Sequence, residues 1–585
     1  MIDLTEKQKE AVKKDGLCIL SASPGSGKTC TVAHRLNRLI KEKKLFSYQG
    51  VAVLSFTNVA KDSVIKEYKD ITKKNISSPH FVGTIDSFLN NVIFRPFAHK
   101  ILCDGTKEIK ILDVHSVWLN DIFPRLKQYK LNGQNITYDK DGKVVCQAFN
   151  RVNSEQQNYI KYIKNRMSYI GIVTQNDVSY FCLKILKEYH SVTRAIINRY
   201  PFIIIDEAQD CSDLQMAIID FLVESGHKEI MLVGDAYQAI YEWRDANPQL
   251  FIEKERDNNW ENIQLLESQR CGPEICKFLN LFHYNRKVSH NPKLKELLDA
   301  EVKITYSIDI NKLIEQYLMR VRSKGIEVNS DNVAILYGGH KSKINIRKTN
   351  INPMCLWKTQ EKGSKNIQGI YALPLLAKIA MFQKDYKKAY DHIEKFFYFL
   401  IERKPLISKE NIKGHELCSI ASRVILWNFC KRLPSLEKEL DDWIIEVNKL
   451  VKEVTQELGI INPLIIKKKK QQQNTNLKDA LFKTTDNKFI FKNITLNNIH
   501  QIKSRTFDTV MVYVDSGTGN YKISINKLKR IIEQKDLFKG DYHEDGRCFY
   551  VAASRARRLL WIVSTDKEIL NLFNFKKVLI PIKYN

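Results

Sequence analysis

The sequence predicts an α/β fold of two parallel-sheet domains, each carrying a mainly helical insertion. Three observations lead there: short β-branched runs, the helical patterns that follow them, and two long gaps between runs. The first series is Leu17–Ser21, Val51–Phe56, Phe202–Ile205 and Ile230–Val233; the second is Val302–Ser307, Val333–Tyr337, Thr509–Val514 and Leu559–Val563. Each run ends in small or polar residues. Continuous apolar character of this kind describes buried parallel strands, because a strand covered on both faces has no polar side. The gaps, about residues 90–195 and 345–490, are Lys- and aromatic-rich with little strand signal, and read as one insertion into each core. A chain of 585 residues also exceeds what one hydrophobic core supports, so two to four domains are expected. No internal repeat at solenoid spacing is present.

Composition narrows the partners. Lys and Arg number 93 against 66 acidic residues, a formal charge of +27. A surplus of that size suggests a polyanion, and nucleic acid is the usual one. The 12 cysteines are scattered, and none forms a C-x-x-C pair; Cys271 and Cys276 stand closest. That argues against zinc, iron–sulfur or disulfide frameworks and favours a reducing, cytoplasmic setting. The N-terminal residues are too charged for a signal peptide, and the apolar stretch Tyr371–Phe382 is broken by Pro374 and Lys378, so no membrane association is expected. The run Lys467–Lys470 followed by Gln471–Gln473 reads as a solvated loop, with a DNA backbone contact as the alternative.

The chemistry begins where strand Leu17–Ser21 enters Ala22-Ser23-Pro24-Gly25-Ser26-Gly27-Lys28-Thr29, with helix-like sequence over Thr31–Leu39. This is a phosphate-binding loop in its strand–loop–helix context, with Ala22 at the first Gly position. Gly25 and Gly27 let backbone N–H groups turn toward phosphates, Lys28 brings a point charge, and Thr29 brings a hydroxyl for Mg²⁺. Ser23, Ser26 and Cys30 complete the residues expected to hold the nucleotide. The strand Phe202–Ile205 delivers Asp206, a second metal ligand, and Glu207, placed to orient or deprotonate an attacking water.

With these two sites in order, the sequence resembles the UvrD/Rep-like branch of superfamily 1 helicases over both cores. Leu4-Thr5 with Gln8 is similar to the adenine-reading Q motif. Val53–Asn58, containing Phe56, Thr57 and Asn58, resembles motif Ia, and Gly83–Phe88, containing Thr84, resembles motif Ib. Asp-Glu-Ala-Gln-Asp at 206–210 is close to motif II, and Val233–Arg244 is similar to motif III. There the resemblance makes Gln238 a γ-phosphate sensor and sets Tyr241, Trp243 and Arg244 against DNA; aromatic faces stack on any base, worth about 1–3 kcal/mol each. Elsewhere, Tyr and Trp at helical spacing are usually core residues.

Leu265–Arg270 resembles motif IV, with Gln269 where the family usually has a Tyr stacked on adenine. Ile499–Asp508 resembles motif V, with Ser504 in place of Gly and Thr506 where many members have Glu. The resemblance gives His500 a role between the ATP and DNA sites; alone, it would more often be a structural histidine. Arg547–Arg557 looks like motif VI. Arg270 and Arg555 match two arginines that close over the γ-phosphate, a contribution of about 10³–10⁵ in rate in related NTPases.

The resemblance implies two RecA-like P-loop NTPase domains. Domain 1A would comprise residues 1–90 and 196–270, and domain 2A residues 271–345 and 491–585. Insertion 1B would be 91–195, and a short, diverged 2B would be 346–490. It also implies ATP and Mg²⁺ as cofactors, single-stranded or tailed duplex DNA as partner, and 3′→5′ movement. A further likeness, in Thr84–Phe88 followed by Arg95-Pro96-Phe97, is to the helicase subunit of Gabija-type anti-phage systems, which works with a separate nuclease subunit, Gabija A-like. Two other readings stand beside the helicase: a nucleotide- and DNA-sensing subunit that activates a partner nuclease, and a nucleic-acid-binding protein with a degenerate ATP site.

Overall fold

The structure is a computed structural model. It describes residues 4–102, 109–112, 136–146, 153–242, 245–282, 287–338, 357, 365–382, 385–402, 415–460, 465–468, 474, 477, 494–503, 505–516, 523–534, 537–538 and 543–574. The chain divides into two compact units, one of Met1–Ile344 with Ile494–Asn585 and one of Asn345–Asn493.

The larger unit is mixed α/β and contains two parallel sheets. The first has six strands: β1 (Cys18–Ala22), β2 (Val51–Ser55), β3 (Phe81–Thr84), β4 (Phe202–Asp206), β5 (Ile230–Gly234) and β6 (Glu261–Leu265), in the order β6-β1-β5-β4-β2-β3. The second has five: β7 (Glu301–Tyr306), β8 (Val333–Tyr337), β9 (Thr495–Asn498), β10 (Phe507–Val514) and β11 (Ala556–Ser564), in the order β7-β11-β10-β8-β9. All neighbours run parallel.

The period of two along each strand divides the first sheet's side chains between two cores. Cys18, Leu20, Val51, Val53, Ile204, Met231 and Val233 meet Val32, Ala33, Leu36 and Leu39 of the helix after the phosphate loop. Ile19, Ala52, Leu54, Ile203, Ile205, Ile230 and Leu232 pack on the other side against Phe88, Ile185, Ile196 and Leu222. Each Val, Leu, Ile, Met or Phe among them contributes about 1.5–3 kcal/mol by leaving water. In the second sheet, Ala334, Leu336, Val510, Val512, Leu560 and Ile562 share a core with Phe549–Ala553. On helix Ile310–Ser323, the Tyr317 hydroxyl donates to Thr509 Oγ1 at 2.8 Å while its ring meets Trp561 edge-on.

Three strands go beyond the sequence reading: β3, β6 and β9. The stretch expected to be helical with little strand signal also holds short strands, Lys110–Leu112 paired with Ile172–Thr174 and Ile136–Tyr138 paired with Val144–Cys146. Its helices include Ser154–Tyr169 and Gln175–Glu188. They are joined by Lys164, whose ammonium donates to the Asp177 carboxylate at 2.6 Å inside the core.

The smaller unit is helical: Lys365–Phe382, Tyr386–Glu402, Ile420–Arg432 and Leu440–Glu457 surround Phe396, Phe397, Phe429, Trp357 and Trp443. Pro374 lies inside the first of these helices. No helix among the described residues is long and apolar enough to cross a membrane.

Candidate nucleotide site at the strand ends

β1 runs directly into the phosphate loop, and the helix Lys28–Glu42 leaves it. Gly25 and Gly27 sit at φ +73° and +83°, in the left-handed region that a Cβ penalises. Space is equally decisive: a Cβ on Gly25 would lie 2.4 Å from Arg270 Cβ, and one on Gly27 2.3 Å from Gln8 Nε2. The loop is thus gripped by the residues of the Q-like and motif IV-like segments.

Gln8 serves the fold as well as the loop. It is the third residue of helix Glu6–Lys13, where it accepts from Thr5 N at 2.8 Å in a capping box, and its Nε2 donates to Ser26 O at 3.0 Å. Ser23 N donates to Leu265 O at 2.8 Å, Ser26 Oγ donates to Ser23 O at 2.8 Å, and Ser268 Oγ donates to Pro24 O at 2.8 Å. Lys28, Thr29 and Cys30 open the helix, whose N-terminal N–H groups form an anion site. Burial and the nearby Glu67 push the Cys30 thiol up to about 12, so it is no nucleophile.

At the end of β4, Asp206 accepts from Glu207 N at 3.0 Å. Glu207 takes φ +58°, a conformation that costs a non-glycine residue about 1–2 kcal/mol. The paired acids diverge electrostatically. Burial, then the Glu207 charge, holds Asp206 well above the usual carboxylate range. Burial would raise Glu207 too, but Lys28 and Lys503 outweigh it and keep it ionised.

A continuous set of contacts leaves Glu207 and returns to it through the second sheet. Gln209 Nε2 donates to Glu207 Oε2 at 2.5 Å, and Gln209 Oε1 accepts from Asp235 N at 3.0 Å. Gln238 Nε2 donates to Asp235 Oδ2 at 2.5 Å, and Arg555 Nη2 donates to Gln238 Oε1 at 2.6 Å. Arg555 Nη1 donates to Lys503 O, and Lys503 Nζ donates to Asp210 Oδ2 at 2.5 Å while lying 3.9 Å from Glu207 Oε2. Asp210 N donates back to Glu207 O at 3.0 Å. Arg270 Nη1 donates to Ser554 O at 3.3 Å, beside this loop. Burial and the Arg270 charge lower Arg555 to about 9.

The structure therefore brings Ser23, Gly25, Ser26, Gly27, Lys28, Thr29 and Cys30, on the loop and the helix start after it, together with Gln8 of the preceding helix, and sets Asp206, Glu207, Gln238, Arg270 and Arg555 at or near the strand ends. Gln269 N donates to Gly25 O at 2.7 Å, and its side chain pairs with Glu267 and Asn291.

The residues expected along DNA divide. Thr57 and Thr84 cap helices, accepting from Ala60 N and Ser87 N, and Asn58 is exposed. Phe56 is partly buried beneath Tyr241, their rings 5.2 Å apart. Tyr241, expected to stack on bases, is only 8% exposed; it donates to His500 O at 3.5 Å and has Lys503 Nζ 4.8 Å from its ring. Trp243, Arg244 and Ser504 lie outside the described residues.

Sequence reasoning quoted Gln209, Asp210, Lys503 and Arg547 inside motifs without giving them roles. Fully buried Arg547 donates to Ala239 O at 2.7 Å and Leu537 O at 2.6 Å and pairs with Glu242. The signal was available: a charged residue embedded in an apolar helix such as Arg547-Cys-Phe-Tyr-Val needs a buried partner.

Comparison with known proteins agrees with this geometry. The family model of the UvrD/REP helicase N-terminal domain matches residues 4–259. The chain is 24% identical over 337 residues to the Gabija protein GajB of Bacillus cereus (strain VD045), covering 55% of this chain and 60% of that protein. It is 24% identical over 396 residues to the ATP-dependent DNA helicase Rep of Buchnera aphidicola subsp. Acyrthosiphon pisum (strain APS), covering 62% and 58%. Against the ATP-dependent DNA helicase PcrA of Leuconostoc citreum the identity is 24% over 311 residues, covering 49% and 40%. The chain thus spans about 40–60% of the length of these relatives.

Proposed function

We propose, from a chain whose residues 4–259 match the family model of the UvrD/REP helicase N-terminal domain, that this protein is an ATP-driven 3′→5′ translocase and helicase on single-stranded DNA. The observation that carries the reading is the closed set of contacts from Glu207 through Gln238 and Arg555 to Lys503, because it ties a hydrolytic carboxylate on one sheet to an arginine on the other.

In this reading the two parallel sheets are RecA-like domains 1A and 2A, with insertions 1B and 2B at 91–195 and 346–490. ATP lies against the phosphate loop. Lys28 places its charge on the β- and γ-phosphates, Glu207 orients the attacking water, and Gln238 registers the γ-phosphate. Arg270 and Arg555 spread charge from the transferring phosphoryl group. Phosphate release then removes the anion that both arginines face, and the sheets part.

A Mg²⁺ ion fits the donors present. Thr29 offers a hydroxyl and Asp206 a buried carboxylate at the end of β4. Such an ion would take one or two carboxylates and fill its shell with water and phosphate oxygens. When bound, the ion neutralises charge on the phosphates.

Phe56, Thr57, Asn58, Thr84, Tyr241, Trp243, Arg244 and His500 would line the DNA path, with Tyr241 swinging out of its buried position to meet a base. The test is strand displacement on 3′- and 5′-tailed duplexes. Displacement from the 3′ tail alone is expected; displacement without preference, or none with turnover intact, contradicts the directional reading.

The similarity to the Gabija protein GajB favours a second reading, in which the same nucleotide cycle activates a partner nuclease in anti-phage defence. Active ATP turnover without strand displacement, together with nuclease activity that depends on this chain, would select it.

A further inference from the structure

Among the cations around Glu207, the function above leaves Lys503 without a task. Lys503 follows β9 in the loop toward β10 and is 7% exposed. A cation this deep needs compensating charge. It has three neighbours of different kinds: Asp210 at 2.5 Å, Glu207 at 3.9 Å, and the Tyr241 ring at 4.8 Å from its centroid. Its own carbonyl accepts from Arg555 Nη1. One residue thus touches the hydrolytic carboxylate, the arginine facing the phosphate, and the aromatic side chain expected to meet DNA.

We propose that Lys503 is a positioning residue that transmits the state of the Tyr241 ring to Glu207, making ATP turnover depend on bound DNA. The proposal rests on the translocase reading above. In the present arrangement the ammonium is shared between two carboxylates and an aromatic face. An ammonium over a ring is held by the ring's quadrupole. A base stacking on Tyr241 requires the ring to leave its place between Phe56 and Lys503. The ammonium then loses one neighbour, and its balance shifts toward Asp210 and Glu207. Because Glu207 is also held by Gln209 at 2.5 Å, a small displacement of the cation re-aims the carboxylate instead of releasing it. Arg555 moves with the same backbone, since it is bonded to the Lys503 carbonyl.

Sequence position alone would make Lys503 a phosphate or DNA contact in a basic chain. The geometry disfavours that: its ammonium is turned inward onto two acids, with no exposed face from which to reach a polyanion.

The experiment is a double-mutant cycle on the full chain with Lys503→Met, Tyr241→Leu and both together. Its readout is DNA stimulation, the ratio of ATP kcat at saturating oligo(dT) to kcat without DNA. Each single variant should lose about tenfold of the stimulation, within the span over which coupled sites act, and the double should lose no more than the poorer single. KM for ATP should stay within about twofold of wild type, because Lys503 does not hold the nucleotide. Lys503→Arg should restore part of the stimulation, since it keeps the charge but not the shape. If Lys503→Met melts early, the same cycle with Lys503→Arg decides, with a partial loss that Tyr241→Leu does not deepen.

Losses that multiply in the double variant, or a Lys503→Met protein stimulated like wild type, would overturn the proposal while leaving the translocase reading intact. A wild type that turns over ATP with no stimulation by DNA would instead remove the reading itself, and this proposal with it.

Discussion

Replacing Arg555 by alanine sets a catalytic effect against a structural one, and their sizes can be compared. The guanidinium is 2% exposed and donates to four acceptors: Val551 O, Lys503 O, Gln238 Oε1 and Ser554 Oγ. An orphaned buried acceptor costs about 1–3 kcal/mol. Removal also relieves the desolvation of a cation crowded by Arg270, which offsets part of that cost. A net destabilisation of about 2 kcal/mol is expected, inside the ordinary range for a point variant. The catalytic term is larger. Losing an arginine that faces the transferring phosphoryl costs about 10³–10⁵ in rate, or about 4–7 kcal/mol in the barrier. The variant should therefore fold and bind ATP yet fail to turn it over. The assay is steady-state ATP hydrolysis with saturating single-stranded DNA, alongside a fluorescent-nucleotide titration and a thermal melt. Arg555→Lys should recover little, because a point charge does not reproduce the planar fork. A folded Arg555→Ala protein whose kcat stays within tenfold of wild type would refute the reasoning.

Gln269→Tyr should lower KM for ATP by about five- to a hundredfold, the worth of one stacked base, and sharpen preference over CTP; parallel steady-state kinetics with both nucleotides check it. Gly25→Ala forces a Cβ to within 2.4 Å of Arg270 Cβ at φ +73°, so nucleotide binding should be lost and the melting temperature should fall, both readable in one thermal-shift series with and without ATP. Lys164→Met leaves the buried Asp177 carboxylate without its cation and should cost about 3 kcal/mol in a urea melt, and adding Asp177→Leu should recover part of it.

How much of this was legible in the sequence depends on where each strand sits. β1, β2, β4 and β5 are interior strands or lie beside one, and their unbroken apolar runs were readable because both faces are covered. Of the two large sheets, the three strands that escaped are all edges. β6 alternates exposed and buried positions through Glu261–Leu265, β3 contains Gly83, and β9 is the polar Thr-Leu-Asn-Asn. An edge strand pairs on one side only, so its composition is less constrained and its signal is weak.

The individual site residues were readable because phosphate chemistry needs particular types at short spacing, as in Gly25, Gly27, Lys28 and Thr29. The loop joining them was not. The bond from Arg555 to Gln238 spans 317 positions and that from Lys503 to Asp210 spans 293, distances over which spacing holds no information. Tyr241 shows the same limit from the other side: the resemblance to motif III sets its ring against DNA, and only the packing of Phe56, His500 and Lys503 around it puts the ring inside.

The central claim, that a nucleotide site joining the two sheets is driven by DNA, is tested most directly by ATP hydrolysis of the full chain titrated with single-stranded DNA, beside Lys28→Ala. The account predicts turnover that rises well over tenfold and saturates with DNA, and none above background in the variant. Turnover unchanged by DNA, or a Lys28→Ala protein as active as wild type, would contradict it.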